Sequence, residues 1–231
     1  MILSNCERNT WDLLSLLRPA LHSDLRNRKE SFWLGELKPW LAQLGLKVAG
    51  PIKHGDGDTD LLILDPSNRF GVVWQMKWLT PPDRVRDVAY TEKELGVGIS
   101  QATKSLSWIR SNARSAAHHL GVSLSQVRDA EIKPIVLSKN TIGSGWVNDA
   151  SVPISNERLL KWVMAAPHHK SLRTWWQVCQ GRRYLPRRPR HFRDIDMDAT
   201  FGGIRFIGKG FGMEYANAWE PSTDIDLTGI H

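Results

Sequence analysis

TDLLILDPSNRFGVVWQMKW, residues Thr59–Trp78, decides the fold of this chain. Two apolar runs, Thr59–Asp65 and Gly71–Trp78, flank Pro66-Ser67-Asn68-Arg69, residue types that make turns. The stretch therefore reads as a β-hairpin. Strand alternation puts Val72, Trp74, Met76 and Trp78 on one face and Val73, Gln75 and Lys77 on the other. A two-residue turn at Ser67-Asn68 and a four-residue loop from Pro66 to Arg69 give the same register. In both, Asp60 lies across from Gln75 and Asp58 across from Lys77, with opposed Cβ atoms about 4.5–5.5 Å apart. An odd-length loop or a bulge would break this juxtaposition. The neighbours are apolar on both faces, as in a covered central strand. An amide or hydroxyl buried there without partners costs roughly 2–7 kcal/mol, and a charge more. An acid, an amide and an amine on one face can satisfy one another around a small ion and a water.

Working outward, Trp33, Leu37, Trp40, Leu41 and Leu44 form the apolar stripe of a helix over about Ser31–Leu44. Gly45 stops it, and Pro39 should kink or restart it. A further helix is expected over Thr10–Leu21, with Pro19 arguing for an early stop. Leu46–Ile52 reads as a first strand and Lys53–Asp58 as a turn rich in Gly and Asp. Downstream, Thr80–Val97 is a polar connection with room for a short helix. Leu95, Ile99, Ala102, Leu106, Ile109, Ala113, Ala116 and Leu120 then predict one long helix that ends at Gly121. Ile132–Ser138 and Ser151–Ile154 read as strands, and Asn156–Ala166 as a helix stopped by Pro167. A hairpin followed by a crossover helix and another strand predicts an α/β fold with a mixed sheet. Three segments are expected: a helical N-terminal segment (1–30), a core (31–167) and a basic C-terminal extension rich in Gly and Arg (168–231).

The 231 residues suffice for a sizeable core, and 41% hydrophobic with 24% charged residues is ordinary for a globular protein. No apolar run approaches the roughly 20 residues of a membrane span, and the first residues lack the pattern of a secretion signal. A cytoplasmic protein with no membrane partner is the expectation. Cys6 and Cys179 are too few for a disulfide framework or a zinc site and read as reduced thiols. The net charge of +7 suits an anionic partner. Arg182, Arg183, Arg187, Arg188, Arg190 and Arg193 fall in one run without an acid, interleaved with Tyr184 and Phe192. Such a strip either contacts nucleic-acid phosphates, releasing counterions, or is a solvated arm.

A helix with an acid, a turn, Asp60 before four apolar residues, a hairpin, an apolar residue before Gln75-x-Lys77 and a helix together resemble the PD-(D/E)XK, or restriction-endonuclease-like, nucleases. The resemblance covers Phe32 to Leu160, about one core of that fold. It implies an αβββαβ core with a mixed central sheet flanked by helices, and a DNA endonuclease dependent on Mg²⁺ or Mn²⁺. It implies that Asp60, Gln75 and the Met76 carbonyl bind the metal, and that Lys77 positions the attacking water or stabilises charge. Gln75 stands where most members have Glu, and Thr59 where the motif has Pro. The missing charge calls for another carboxylate: Glu36, on the preceding helix where the family often carries an acid, or Asp58. Gln101, Ser105, Trp108 and Asn112 form a polar-aromatic stripe on the next helix, where the family often places a Gln or a base. Gln101, the adjacent Lys104 and His54 are accessory candidates. Hard oxygen ligands suit Mg²⁺ or Mn²⁺ on chemical grounds alone. Cutting both strands usually takes two sites, so a homodimer or a subunit of a larger complex is expected. Genome defence or mobile-element processing is implied only by family habit. A non-catalytic nucleic-acid-binding module with this fold and an RNA-cleaving enzyme are the rival readings.

Three other patterns fall short of the sites they suggest. Gly203 to Gly210 nearly matches a phosphate-binding loop, but Gly210 replaces the Ser or Thr and Ile204-Arg205-Phe206-Ile207 reads as strand. His118-His119 and His168-His169 lack the spacing of a helical metal site. Asp194, Asp196 and Asp198 lack the Gly and distal Glu of a calcium loop.

Overall fold

The computed structural model describes residues 16–55, 57–79, 85–139, 151–165, 170–181, 192–201 and 204–213. The chain divides into two compact units, Met1–Glu157 and Arg158–His231. The first holds a five-stranded mixed sheet flanked by helices. Its strands are β1 (Lys47–Ala49), β4 (Leu61–Asp65), β5 (Phe70–Lys77), β6 (Glu131–Ser138) and β7 (Ile154–Asn156), in the order β1-β4-β5-β6-β7. A separate two-stranded ribbon pairs β2 (Ile52–His54) with β3 (Gly57–Thr59).

The hairpin has the expected register. Leu61 faces Trp74 and Asp65 faces Phe70 across a four-residue turn. Asp65 organises that turn: its carboxylate accepts from the Ser67 and Asn68 backbone N–H groups (3.1 and 3.2 Å), from Ser67 Oγ and from Asn68 Nδ2 (both 2.6 Å). Burial pushes its carboxyl up, but the donors from Asn68 and Ser67 outweigh this and hold it below the ordinary range. β5 pairs on its other side with β6 in parallel, Gln75 beside Val136 and Lys77 beside Ser138. A strand between two neighbours must be apolar on both faces, and Val72, Val73 and Trp74 are fully buried.

Helix α1 (Pro19–Gln43) is longer than the spacing predicts. Pro19, read as a stop, instead occupies its first position, where a missing N–H costs nothing and the fixed φ suits a helix. The helix also continues through Pro39. It ends at Gly45 (φ 80°), with Gly45 N–H to the Ala42 carbonyl and Leu46 N–H to the Leu41 carbonyl, the paired bonds that satisfy a helix C-terminus. Trp33, Leu37 and Leu41 form its buried stripe.

The expected long helix is two. Helix α2 (Val85–Ser111) begins inside the stretch read as a polar connection, and α3 (Ala113–Leu120) follows a break at Asn112. The Asn112 amide donates to the Trp108 carbonyl (2.9 Å), a local bond that competes with helix continuation. A short α4 (Leu124–Arg128) was not foreseen, although Ser123 and Gln126 spell its capping box. The expected strand Leu46–Ile52 is split at Gly50-Pro51 into β1 and the start of β2. α2 to α4 cover the Val73 face, where Leu62, Leu64 and Val73 pack with Leu106, Ile109, Ala116, Leu120 and Val127.

At the end of β5, Trp33 meets Trp78 edge-on at 5.9 Å. Lys139 Nζ lies 5.2 and 5.5 Å from those two ring centroids and pairs with Glu157, while its N–H donates to the Lys77 carbonyl (2.9 Å). This contact fixes the backbone at Lys77.

In the second unit, α5 (Glu157–Met164, its first residue closing the first unit) precedes α6 (Leu172–Gln180), capped by Ser171 and burying Trp175 and Trp176. β8 (Phe192–Phe201) and β9 (Ile204–Met213) form a two-stranded hairpin. Lys209 lies in that strand, opposite Asp196, so the glycine-rich near-match is not a phosphate loop. The boundary expected at residue 30/31 falls within α1, and that at 167/168 within residues that are not described. No helix among the described residues is long and apolar enough to cross a membrane.

Candidate active site

The β4–β5 ladder ends at Leu61–Trp74. The next hydrogen-bonded rung would join Met76 to Thr59, but the chain leaves the sheet at Asp60 and Thr59 pairs instead with Ile52. Asp60 supplies the missing acceptor: its Oδ2 takes the Met76 N–H at 2.7 Å. N–H and C=O of one strand residue point the same way, so the Met76 carbonyl opens toward the same gap. Asp60 is therefore not simply opposite Gln75; it bends across the end of the ladder.

Gly50 makes the bend possible. It has φ 133°, and a Cβ there would lie 2.3 Å from the Asp60 carbonyl oxygen. Only glycine fits. The Gly50 carbonyl in turn accepts from Lys38 Nζ on α1.

Gln75 is buried at 2% exposure. Its Nε2 donates to the Asp58 carbonyl at 3.2 Å, and Ser105 Oγ on α2 donates to that same oxygen at 3.1 Å. A carbonyl only accepts, so Gln75 must present its NH₂ there and turn Oε1 away. That Oε1 is buried and has no hydrogen-bond partner among the described residues. Such an orphan asks for a cation or a water.

Lys77, on the same face, donates from Nζ to Gln101 Oε1 on α2 at 2.9 Å. Its stem passes under Gly98, where a Cβ would stand 3.2 Å from both Lys77 Cε and Val136 Cγ1. Ser138, beside Lys77 in the sheet, is fully buried, and its Oγ has no partner among the described residues.

Burial, foremost, raises the Asp60 carboxyl from 3.8 to about 6. The Met76 N–H pulls it back, the charges of Asp58 and Glu30 push it further up, and Lys77 lowers it. Glu30 was missed in the sequence. It precedes Trp33 by three residues and Leu37 by seven, so it shares the inward stripe of α1. Glu36, the residue chosen for this role, is exposed on another side of that helix.

The structure brings together Asp60, Gln75, Met76, Lys77 and Gln101, with Asp58 and Glu30 near enough for their charges to act. Lys104 is exposed, and Asn112 is occupied at the helix break. His54 stacks on Trp108 (centroids 4.8 Å apart) with Nε2 3.3 Å from Thr59 Oγ1, so it clamps the β2–β3 ribbon to α2. Arg182, Arg183, Arg187, Arg188 and Arg190 lie outside the described residues. Arg193 is in β8, in the other unit. Among the described residues no three His, Cys, Asp or Glu side chains form a ready metal-binding group. The available donors are a carboxylate, an amide oxygen and a backbone carbonyl, with further carboxylate charge nearby. These are hard oxygens, the set that suits an ion retaining several of its waters. No protein-family model, curated protein or solved structure matches the chain.

Proposed function

We propose that this protein is a metal-dependent nuclease with a restriction-endonuclease-like core, acting on DNA. The observation that supports this most is the meeting of Asp60, the orphan Gln75 Oε1 and Lys77 at the end of the β4–β5 ladder. Asp60 and Gln75 would hold Mg²⁺ or Mn²⁺, with the Met76 carbonyl as a third oxygen and Glu30 and Asp58 balancing charge. When bound, such an ion acts as a Lewis acid on a phosphoryl oxygen and activates water. Lys77, held by Gln101, orients that water or offsets the charge that develops on the phosphate. The arginine run from Arg182 to Arg193 would contact the duplex backbone.

The test incubates the purified protein with plasmid DNA and with RNA, in Mg²⁺, in Mn²⁺ and in EDTA, beside Asp60→Ala and Lys77→Ala. The expected result is metal-dependent DNA cleavage that falls at least about a thousandfold in both variants. RNA cleavage alone would reassign the substrate. Nucleic-acid binding that survives both substitutions, with no cleavage under any metal, would make the protein a binding module.

The raised Asp60 carboxyl gives a pH signature. A cation needs the ionised form, so Mg²⁺ affinity is expected to fall about tenfold per pH unit below roughly 6. Metal-free stability moves the other way. The folded state holds this proton more tightly than the unfolded chain, so stability rises as pH drops from above 6 toward 3.8. Calorimetric titration from pH 5 to 7.5 measures the first effect; a flat affinity would place the ion elsewhere.

A further inference from the structure

Acids are absent from a long stretch of the first unit. The chain holds 24 Asp and Glu in 231 residues, about one in ten, yet none falls between Glu94 and Asp129. That stretch contains most of α2 and all of α3 and α4. The apolar face of these helices is buried against the sheet through Leu106, Ile109, Ala116 and Leu120. Their outward face carries Lys104, Arg110 and Arg114, with Ser100, Ser107 and Ser111 among them, and all six are exposed. No acid stands three or four residues from any of the three cations, the spacing at which helical ion pairs form. None of the three makes an ion pair with a described residue. Helix stability does not account for this row. Of the three, Arg110 alone, in the last turn of α2, is favoured by its helix dipole. Arg114 lies in the first turn of α3, where the dipole opposes a cation and no acid offsets it.

The row starts beside the candidate site. Gln101, which holds Lys77, is half-buried and lies one turn before Lys104. From Lys104 to Arg114 a helical rise of 1.5 Å per residue gives roughly 15 Å. One strand of a DNA duplex advances about 3.4 Å per phosphate, so the row spans about four phosphates. We propose that this face of α2 and α3 binds the phosphate backbone of duplex DNA and leads one strand to Lys77. The link to Lys77 rests on the nuclease reading; the contact with DNA does not. Ser107 donates to the Thr103 carbonyl, which leaves Ser100 and Ser111 as hydroxyl donors beside the cations. A membrane surface is a poorer occupant, because it needs an outward apolar face and the apolar face here is buried on the sheet. A protein partner finds no free aromatic anchor between Gln101 and Arg114, since Trp108, the one aromatic there, is stacked on His54.

The experiment is fluorescence anisotropy of a labelled duplex of about 20 bp, titrated with the full chain in EDTA between about 50 and 200 mM salt. EDTA prevents cutting, so binding is read alone. Lys104→Gln, Arg110→Gln and Arg114→Gln are each expected to lower the slope of log K against log salt by about 0.9. Together they lower it by at least about 2 and weaken binding on the order of a hundredfold near 100 mM salt. Glutamine is a good helix former, so the helices persist, and unchanged circular dichroism verifies that. Arg28→Gln, exposed on α1, removes the same charge elsewhere and leaves the slope within about 0.3 of the wild type. A smaller fall in the combined variant, an equal fall in Arg28→Gln, or a wild type that does not bind the duplex overturns the proposal. The expected slopes in a protein that cuts nothing would sink the nuclease reading and leave this one standing. Cleavage with unchanged slopes would do the reverse.

Discussion

Gln75→Glu is expected to destabilise the metal-free protein by about 2–4 kcal/mol and to lower metal-dependent cleavage by about 10- to 100-fold. The resemblance taken alone suggests the opposite, since Glu is the usual residue at this position. The difference lies in what residue 75 touches. Its Nε2 donates to the Asp58 carbonyl at 3.2 Å, in a site with 2% exposure. A carboxylate would turn an oxygen toward that carbonyl, losing the bond and adding repulsion. It would also add a negative charge beside Asp60, whose carboxyl Asp58 and Glu30 already push upward. Thermal unfolding with and without Mg²⁺, together with plasmid cleavage, measures both effects. Undiminished stability with tighter metal binding would mean that the Asp58 carbonyl does not orient this side chain.

Gly50→Ala is expected to cost about 3–5 kcal/mol and to abolish cleavage with it. Two penalties add. The backbone there has φ 133°, a region that side-chain-bearing residues rarely enter, and the new methyl would stand 2.3 Å from the Asp60 carbonyl oxygen. That oxygen is backbone, so it cannot swing aside as a flexible side chain would. Asp60 must shift, and with it the carboxylate on Met76 N–H. Gly35→Ala serves as the control. A Cβ at Gly35 meets nothing within 4 Å, so in helix α1 this change should be neutral or add up to about 1 kcal/mol. Chemical denaturation of the two variants side by side decides the matter, and equal midpoints would overturn the account of Gly50.

Much of the site was legible because it rests on short-range rules. Alternation along β5 is a period of two, so Gln75 and Lys77 had to share a face. The four-residue turn, organised by the Asp65 carboxylate, kept the register, and Gln101 and Ser105 faced the sheet from the helical stripe where they were expected. What escaped was long-range. Glu30 and Glu36 both neighbour apolar residues of α1, and local sequence ranks them equally. Glu30 lies on the inward stripe with Trp33 and Leu37, near enough to act on Asp60, but the helix was expected to begin only at Ser31. Pro19 opens this helix rather than stopping one, so the helix already runs for eleven residues before Glu30. Ser138 was read only as the end of a strand; pairing with β5 places it beside Lys77.

By itself the sequence determined the hairpin, its register, the shared face of Gln75 and Lys77, and the helix stops at Gly45 and Gly121, since each depends on neighbours a few residues apart. The tertiary structure alone decided that the ladder ends one pair short of Asp60. It also decided that the Asp60 carboxylate takes the N–H of Met76, and that the Asp58 carbonyl turns the Gln75 amide. Those outcomes depend on where the chain passes at Gly50 and on how α2 lies over the sheet. In each, a side chain meets a backbone group well separated from it in sequence, and no local pattern of side chains encodes where that backbone group will lie.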